Sequence, residues 1–201
     1  VIEDDLLLSP VALEYFSAGL DAFEHEDRVK AVCGYMYRLD EPAPEHRAFF
    51  LPFASSWGWA TWRRAWEPFV AEQGRLTEKA KDRQFLRQFD KQGIIAASTM
   101  LKAQQQGLID SWAILWNAFL AETDGLALFP AETMVLNGGF AEAGATHSSR
   151  GNPINRMLVR LGQGRELADT FQMPSQATPD EVMRRRVVNC TEPRLHRLSA
   201  L

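Results

Sequence analysis

Apolar residues recur at helical spacing in several places, and each recurrence predicts an amphipathic helix. The first helix is predicted over about residues 10–24. Ser9-Pro10 supplies its cap and first turn, and its apolar positions are Leu13, Phe16, Leu20 and Phe23. Further helices are predicted from Thr61 onward, over residues 76–93, over residues 94–106 and after residue 110. The 76–93 stretch is mostly polar, so it is expected to lie on the surface.

Runs of β-branched and aromatic residues between these helices predict strands. The runs are RVKAVCGYMY at residues 28–37, FFLPF and GLALFP, and Val1-Ile2 has the character of a strand end. A glycine-rich stretch, NGGFAEAGATHSSRGNP, follows the last run and predicts a loop. Because strands and helices alternate up to residue 150, the pattern predicts an α/β fold.

The composition changes after residue 150. Residues 151–201 contain eight Arg against five acids, and Phe171 is their one Phe, Tyr or Trp. The sequence therefore predicts an α/β domain over residues 1–150 and an Arg-rich, helical or irregular extension over residues 151–201. The Arg184-Arg185-Arg186 run in that extension is expected to form a solvated face, with contact to anionic lipid or a partner as the alternative.

Charge and cysteine usage narrow the class of protein. A net charge of −4 and a pI near 5.6 give no basic face for nucleic acid. Cys33 and Cys190 are too few and too far apart for a disulfide framework or a zinc site, which favours a reducing, cytoplasmic location. No stretch approaches the roughly 18 apolar residues of a membrane span. Peripheral contact with the inner membrane stays open.

Two stretches suggest chemistry. VIEDDLLLSP places Glu3, Asp4 and Asp5 in a row, and like charges side by side need water or a cation to compensate them. The triplet is therefore either a solvated turn before a helix or a metal site. SSWGWATWRRAW crowds four tryptophans around Gly58, either as core or as a surface where rings stack on a sugar or base.

Four stretches in order, VIEDDLLLSP, SWGWATW, DSWAILW and GLALFP leading to NGGFAEAGATH, resemble bacterial glycosyltransferases of GT-A fold that are distantly similar to N-acetylglucosaminyltransferase I. The resemblance covers about residues 1–148. It implies a GT-A-like mixed sheet flanked by helices. It also implies that the acidic triplet ends a central strand and that a nucleotide-binding part of about a hundred residues precedes it. The chain alone is then expected to aggregate and to bind nucleotide-sugar weakly.

The resemblance assigns roles to particular residues. Asp5 would hold Mn²⁺ or Mg²⁺ on the diphosphate of a nucleotide-sugar, with Glu3 and Asp4 nearer the sugar or nucleotide hydroxyls. The aromatic residues Trp57 and Trp59, with Gly58 between them, would also contact the donor. His147, in the glycine-rich loop, would either ligate the metal or bind a phosphate.

The resemblance also implies a base that deprotonates an acceptor hydroxyl, and Asp110 is the carboxylate in that neighbourhood. Its register differs from the family pattern, because Ser111 and not an acid directly precedes Trp112, so a helix N-cap is the competing role. The function implied is metal-dependent, inverting transfer of a hexosyl or N-acetylhexosaminyl group to a carbohydrate or glycolipid acceptor, with retention of configuration as the open alternative. The alternatives are a non-catalytic carbohydrate- or nucleotide-binding protein and a metal-dependent nucleotide-sugar hydrolase.

Overall fold

The computed structural model describes residues 1–39, 46–138 and 166–196. Strands and helices are mixed along them, as the sequence pattern predicts. The strands are β1 (Leu6–Leu8), β2 (Val29–Cys33), β3 (Phe49–Leu51), β4 (Trp59–Ala60), β5 (Leu126–Phe129) and β6 (Val135–Asn137). The α-helices are α1 (Ala12–Ala22), α2 (Arg63–Glu78), α3 (Arg83–Phe89), α4 (Ala97–Gln105), α5 (Trp112–Glu122) and α6 (Glu181–His196).

A mixed four-stranded sheet lies at the centre, in the order β3-β5-β2-β4. Strands β2 and β5 are parallel, whereas β3 and β4 run antiparallel to their neighbours. A separate antiparallel pair joins β1 to β6. The described fold is therefore mixed α/β, with both parallel and antiparallel pairing in one sheet.

Each face of the central sheet buries a different set of side chains, because successive strand residues point to opposite faces. On one face, Ala31 and Phe129 join a core to which α2, α3, α4, α5 and α6 contribute. On the other, Val32 and Leu128 pack with Tyr15 and other residues of α1. Helices thus cover both faces.

Residues 166–196 belong to these layers. The amide of Asp180 donates to the carbonyl of Phe50 in β3 at 2.9 Å, and Met183 and Val187 of α6 are buried in the larger core. Within the arginine run, Arg184 bonds Glu181 and the carbonyl of Lys91, so this arginine is tied to the protein. The expected domain boundary at residue 150 lies outside the described residues and stays a prediction.

Three expectations from the hydrophobic pattern are wrong. No strand is assigned to Val1 and Ile2, and the strand at this place is β1, which follows the acids. The 76–93 stretch is not one surface helix, because Asp82 caps a new helix whose side chains Phe85, Leu86 and Phe89 are buried. Leu13 is exposed, since α1 turns Ala12, Tyr15, Phe16 and Gly19 to the core.

Candidate functional site

The acidic turn, residues Glu3–Asp5, leads directly into β1. The amide of Leu6 donates to the carbonyl of Glu3 at 3.2 Å and closes the turn. Glu3 and Asp4 are exposed, whereas Asp5 is partly buried. The Oδ1 atom of Asp5 is shielded from water and has no hydrogen-bond partner among the described residues. The turn therefore precedes a strand instead of ending one, and it withdraws one oxygen of Asp5 from solvent.

A divalent cation suits this oxygen, because a shielded carboxylate oxygen without a hydrogen bond is costly unless something else compensates it. Mg²⁺ and Mn²⁺ take one or two protein carboxylates and fill the other positions with water and phosphate oxygens. In residues 1–39, 46–138 and 166–196, no group of three or more His, Cys, Asp or Glu side chains is placed to hold a metal. The described residues thus fit only an arrangement with few protein ligands, and Asp5 is the acid of the turn that could hold the cation.

The glycine-rich segment starts beside the acidic turn. Strand β1 pairs with β6 so that Leu6 lies opposite Asn137, and the amide of Gly138 donates to the carbonyl of Asp5 at 2.8 Å. The strand pair therefore holds the backbone of the turn against the first residues of the segment. His147, predicted to ligate a metal or bind a phosphate, lies outside the described residues.

The aromatic turn, defined here as residues 54–59, packs on the same strand pair. Gly58 has φ 59°, in the left-handed region, and a Cβ there would lie 2.8 Å from Cγ1 of Val135 in β6. The same Cβ would lie 3.5 Å from Cδ1 of Leu6 in β1. The amide of Gly34 donates to the carbonyl of Gly58 at 2.7 Å. Close approach of backbones at this crossing explains why glycine occurs at both positions.

A second connection joins the aromatic turn to the acidic one. Val1 and Trp59 exchange two backbone hydrogen bonds, at 3.0 Å from the Trp59 amide and 2.6 Å from the Val1 amine. One residue, Ile2, separates Val1 from the first acid, so the pairing keeps the acidic turn at the end of β4 nearest the glycine crossing. The structure thus brings together two stretches that lie over fifty residues apart in sequence.

The tryptophans divide between core and partial exposure. The Trp59 ring is 2% exposed and stacks on Trp112 of α5 at a centroid distance of 5.2 Å and 24°. It also contacts Trp66 and Trp116. The core interpretation therefore holds for the ring of Trp59. The same stack attaches the start of α5, the third stretch of the resemblance, to the aromatic turn.

Trp57 has a different environment. Its ring is half-buried and meets Tyr35 edge-on, at 4.7 Å between centroids and 77° between planes. Tyr35 follows directly after Gly34, at the end of the chain segment that continues β2. Trp57 is therefore the member of the aromatic turn whose ring keeps partial access to solvent.

Asp110 lies in the loop between α4 and α5 and is exposed. Its neighbours Leu108 and Ile109 are exposed as well. The N-cap of α5 is Ser111, whose Oγ accepts a hydrogen bond from the amide of Ile114 at 3.4 Å. Since Ser111 performs the capping, the N-cap alternative for Asp110 is wrong.

Two residues of the site were missed from the sequence. Asn117 is buried in α5 and bonds the backbone of Ala54 at the start of the aromatic turn. Cys33 ends β2, and its thiol contacts the backbone of Ser55. Burial raises the pKa of the Cys33 thiol to about 12, so the thiol stays protonated near neutral pH. A single amide in the otherwise apolar run WAILWNAFLA is the sequence signal that could have indicated Asn117.

Comparisons with known proteins add no relative. No family model matches the chain, and no curated protein or solved structure matches it either. None of the described helices is both long and apolar enough to cross a bilayer. The assignment of function therefore depends on the residues and their geometry.

Proposed function

We propose that the protein is a metal-dependent, inverting glycosyltransferase of GT-A-like fold, which moves a hexosyl or N-acetylhexosaminyl group from a nucleotide-diphospho-sugar to a hydroxyl of a carbohydrate or glycolipid. One observation carries the proposal. The four stretches that resemble such enzymes converge: the acidic turn, the aromatic turn, the start of α5 and the first residues of the glycine-rich segment. They meet through the Gly138–Asp5 and Val1–Trp59 hydrogen bonds and the Trp59–Trp112 stack.

The proposal gives each residue a role that its environment supports. Asp5 holds the cation through its shielded oxygen, and Glu3 and Asp4 present exposed acceptors for donor hydroxyls. When bound, Mn²⁺ or Mg²⁺ neutralises the charge that develops on the leaving diphosphate. Trp57 offers a half-buried ring face to the sugar or base. Asp110 accepts the proton of the attacking hydroxyl, and its exposed position leaves room for a large acceptor.

Donor turnover with and without acceptor separates this function from its alternatives. The full-length protein is incubated with a panel of nucleotide-sugars, with and without Mn²⁺, and both released nucleotide and glycosylated acceptor are measured. A transferase releases nucleotide only when the acceptor is present, whereas a hydrolase releases it without one. A binding protein does neither. Nucleotide release that is independent of acceptor, or complete absence of release, would reject the transferase proposal.

The metal role of Asp5 gives a more local prediction. Asp5→Asn and Asp5→Ala are expected to abolish Mn²⁺-dependent nucleotide-sugar binding, because each replaces the one shielded carboxylate of the turn. Isothermal calorimetry measures the affinity and circular dichroism the fold, which is expected to stay intact. Asp21→Asn, an exposed acid on α1, is the matched control and is expected to bind like the unaltered protein. Undiminished Mn²⁺-dependent affinity in the Asp5 variants would remove this residue from the metal site.

A further inference from the structure

A buried amide bridges α5 to the aromatic turn. Asn117 is 7% exposed, in the middle of a helix whose other buried residues are apolar. Its Oδ1 accepts from the amide of Ala54 at 2.8 Å, and its Nδ2 donates to the carbonyl of Ala54 at 3.1 Å. Nδ2 also donates to the carbonyl of Ala113, one turn earlier, at 3.1 Å. The side chain is therefore bonded to its own helix and to both the amide and the carbonyl of Ala54.

Ala54 has particular need of such a partner. It is buried, yet it lies three residues beyond the end of β3, outside the described strands. Buried backbone groups that no sheet pairs must find side chains or water. The next residue, Ser55, is held in the same manner by the thiol of Cys33, which accepts from its amide at 3.3 Å. Two side chains, one from α5 and one from β2, thus anchor the first two residues of the aromatic turn.

The anchored residues are linked to Trp57 by a hydrogen bond. The Oγ of Ser55 accepts from the amide of Trp57 at 3.3 Å, and the Trp57 ring then packs edge-on against Tyr35. We propose that Asn117 is a positioning residue of the candidate site, which holds the aromatic turn to α5 at Ala54 so that Trp57 keeps its place for the donor. The donor part of this statement rests on the proposed function, whereas the anchoring part does not.

The test reads the environment of Trp57 directly. Near-ultraviolet circular dichroism reports fixed aromatic packing, and the difference between each protein and its Trp57→Phe version isolates the contribution of Trp57. Asn117→Leu has a similar size and no hydrogen-bonding group, so it is expected to lose most of that contribution while far-ultraviolet circular dichroism stays unchanged. Ser9→Ala is the matched control, because Ser9 is equally buried and bonds two backbone groups, of Val11 and Ala168, outside the turn. It is expected to lower stability and to keep the Trp57 contribution.

Asn117→Asp supplies a pH-dependent rescue that traces the loss to the two hydrogen bonds with the Ala54 backbone. A protonated carboxyl accepts from the Ala54 amide and donates to the Ala54 carbonyl as the native amide does, whereas a carboxylate only accepts. Burial raises the pKa of such a carboxyl, so it protonates as the pH falls. The Trp57 contribution is therefore expected to return on lowering the pH in Asn117→Asp and to stay lost in Asn117→Leu. The thiol of Cys33 does not interfere, since it is protonated throughout this range.

Kinetics separate failure of the anchor from failure of the proposed function. With a nucleotide-sugar that the unaltered protein turns over, Asn117→Leu is expected to raise KM for the donor at least tenfold, with kcat changed little. If the unaltered protein transfers no sugar, the proposed function fails, and the circular dichroism still decides the anchoring. An unchanged Trp57 contribution in Asn117→Leu overturns the proposal. So does a lost contribution accompanied by an unchanged donor KM in an active protein.

Discussion

At the scale of single residues, the candidate site depends on positions where only a small or a hydrogen-bonding side chain fits. Gly34 and Gly58 let two backbones approach to hydrogen-bonding distance beside β6. The sequence indicated Gly58 only as part of a turn that would contact a donor. It gave no such indication for Asn117, because a partner sixty-three residues away cannot be seen in a local pattern.

Gly58→Ala is expected to destabilise the protein by about 1–3 kcal/mol. The alanine would have to keep the left-handed backbone conformation of Gly58, and its Cβ would clash with Val135. Gly74→Ala is the matched control. It lies inside α2 with nothing within 4 Å of the new Cβ, so it is expected to stabilise by roughly 0.5–1 kcal/mol through helix propensity. Urea unfolding of the two variants measures both changes. Equal effects of the same sign would show that the crossing at Gly58 imposes no constraint.

At the scale of elements, the sequence pattern located most of the described helices but only three of the six described strands, β2, β3 and β5, and capping explains one of the errors. Strand β5 and helices α1, α4 and α5 lie where the pattern predicts them, within a few residues. The 76–93 stretch was interpreted as one polar helix because its apolar residues are sparse. Asp82 interrupts it by accepting hydrogen bonds from the amides of Gln84 and Phe85, and these bonds lower the pKa of its carboxyl. A polar residue can thus mark a helix start that the hydrophobic pattern does not show.

Two neighbouring residues at the start of α5, Asp110 and Ser111, allow the proposed catalytic role to be tested separately from helix capping. Asp110→Asn is expected to lower kcat by roughly 10²- to 10⁴-fold, since the amide cannot accept the acceptor's proton, with donor affinity and stability little changed. Ser111→Ala is expected to do the reverse, costing about 1 kcal/mol of stability because it removes the N-cap. Turnover and thermal unfolding are measured on both variants. Near-normal turnover in Asp110→Asn would exclude this residue as the base.

At the scale of the whole molecule, the sequence predicted an α/β fold, but the sheet order β3-β5-β2-β4 could not be predicted from it. Strand order depends on pairings between distant segments, such as β2 with β5, and local periodicity carries no information about them. The composition change after residue 150 suggested a separate extension. In the described residues, however, α6 buries Met183 and Val187 in the core shared with α2, α3, α4 and α5. The overall composition of a segment therefore does not show whether a few of its apolar residues join a core with other elements.

Tryptophan fluorescence can show whether α6 unfolds together with the α/β layers, because the tryptophans lie in the layers and none lies in α6. All six lie between Trp57 and Trp116, so their fluorescence follows the layers and not α6 itself. Met183→Ala is expected to cost about 2–5 kcal/mol and to shift the tryptophan-monitored urea midpoint downward, since its cavity opens in the shared core. Val182→Ala, on the exposed side of the same helix, is expected to stay within about 0.5 kcal/mol. If Met183→Ala left the tryptophan transition unmoved, residues 151–201 would be an independent extension, as the composition indicates.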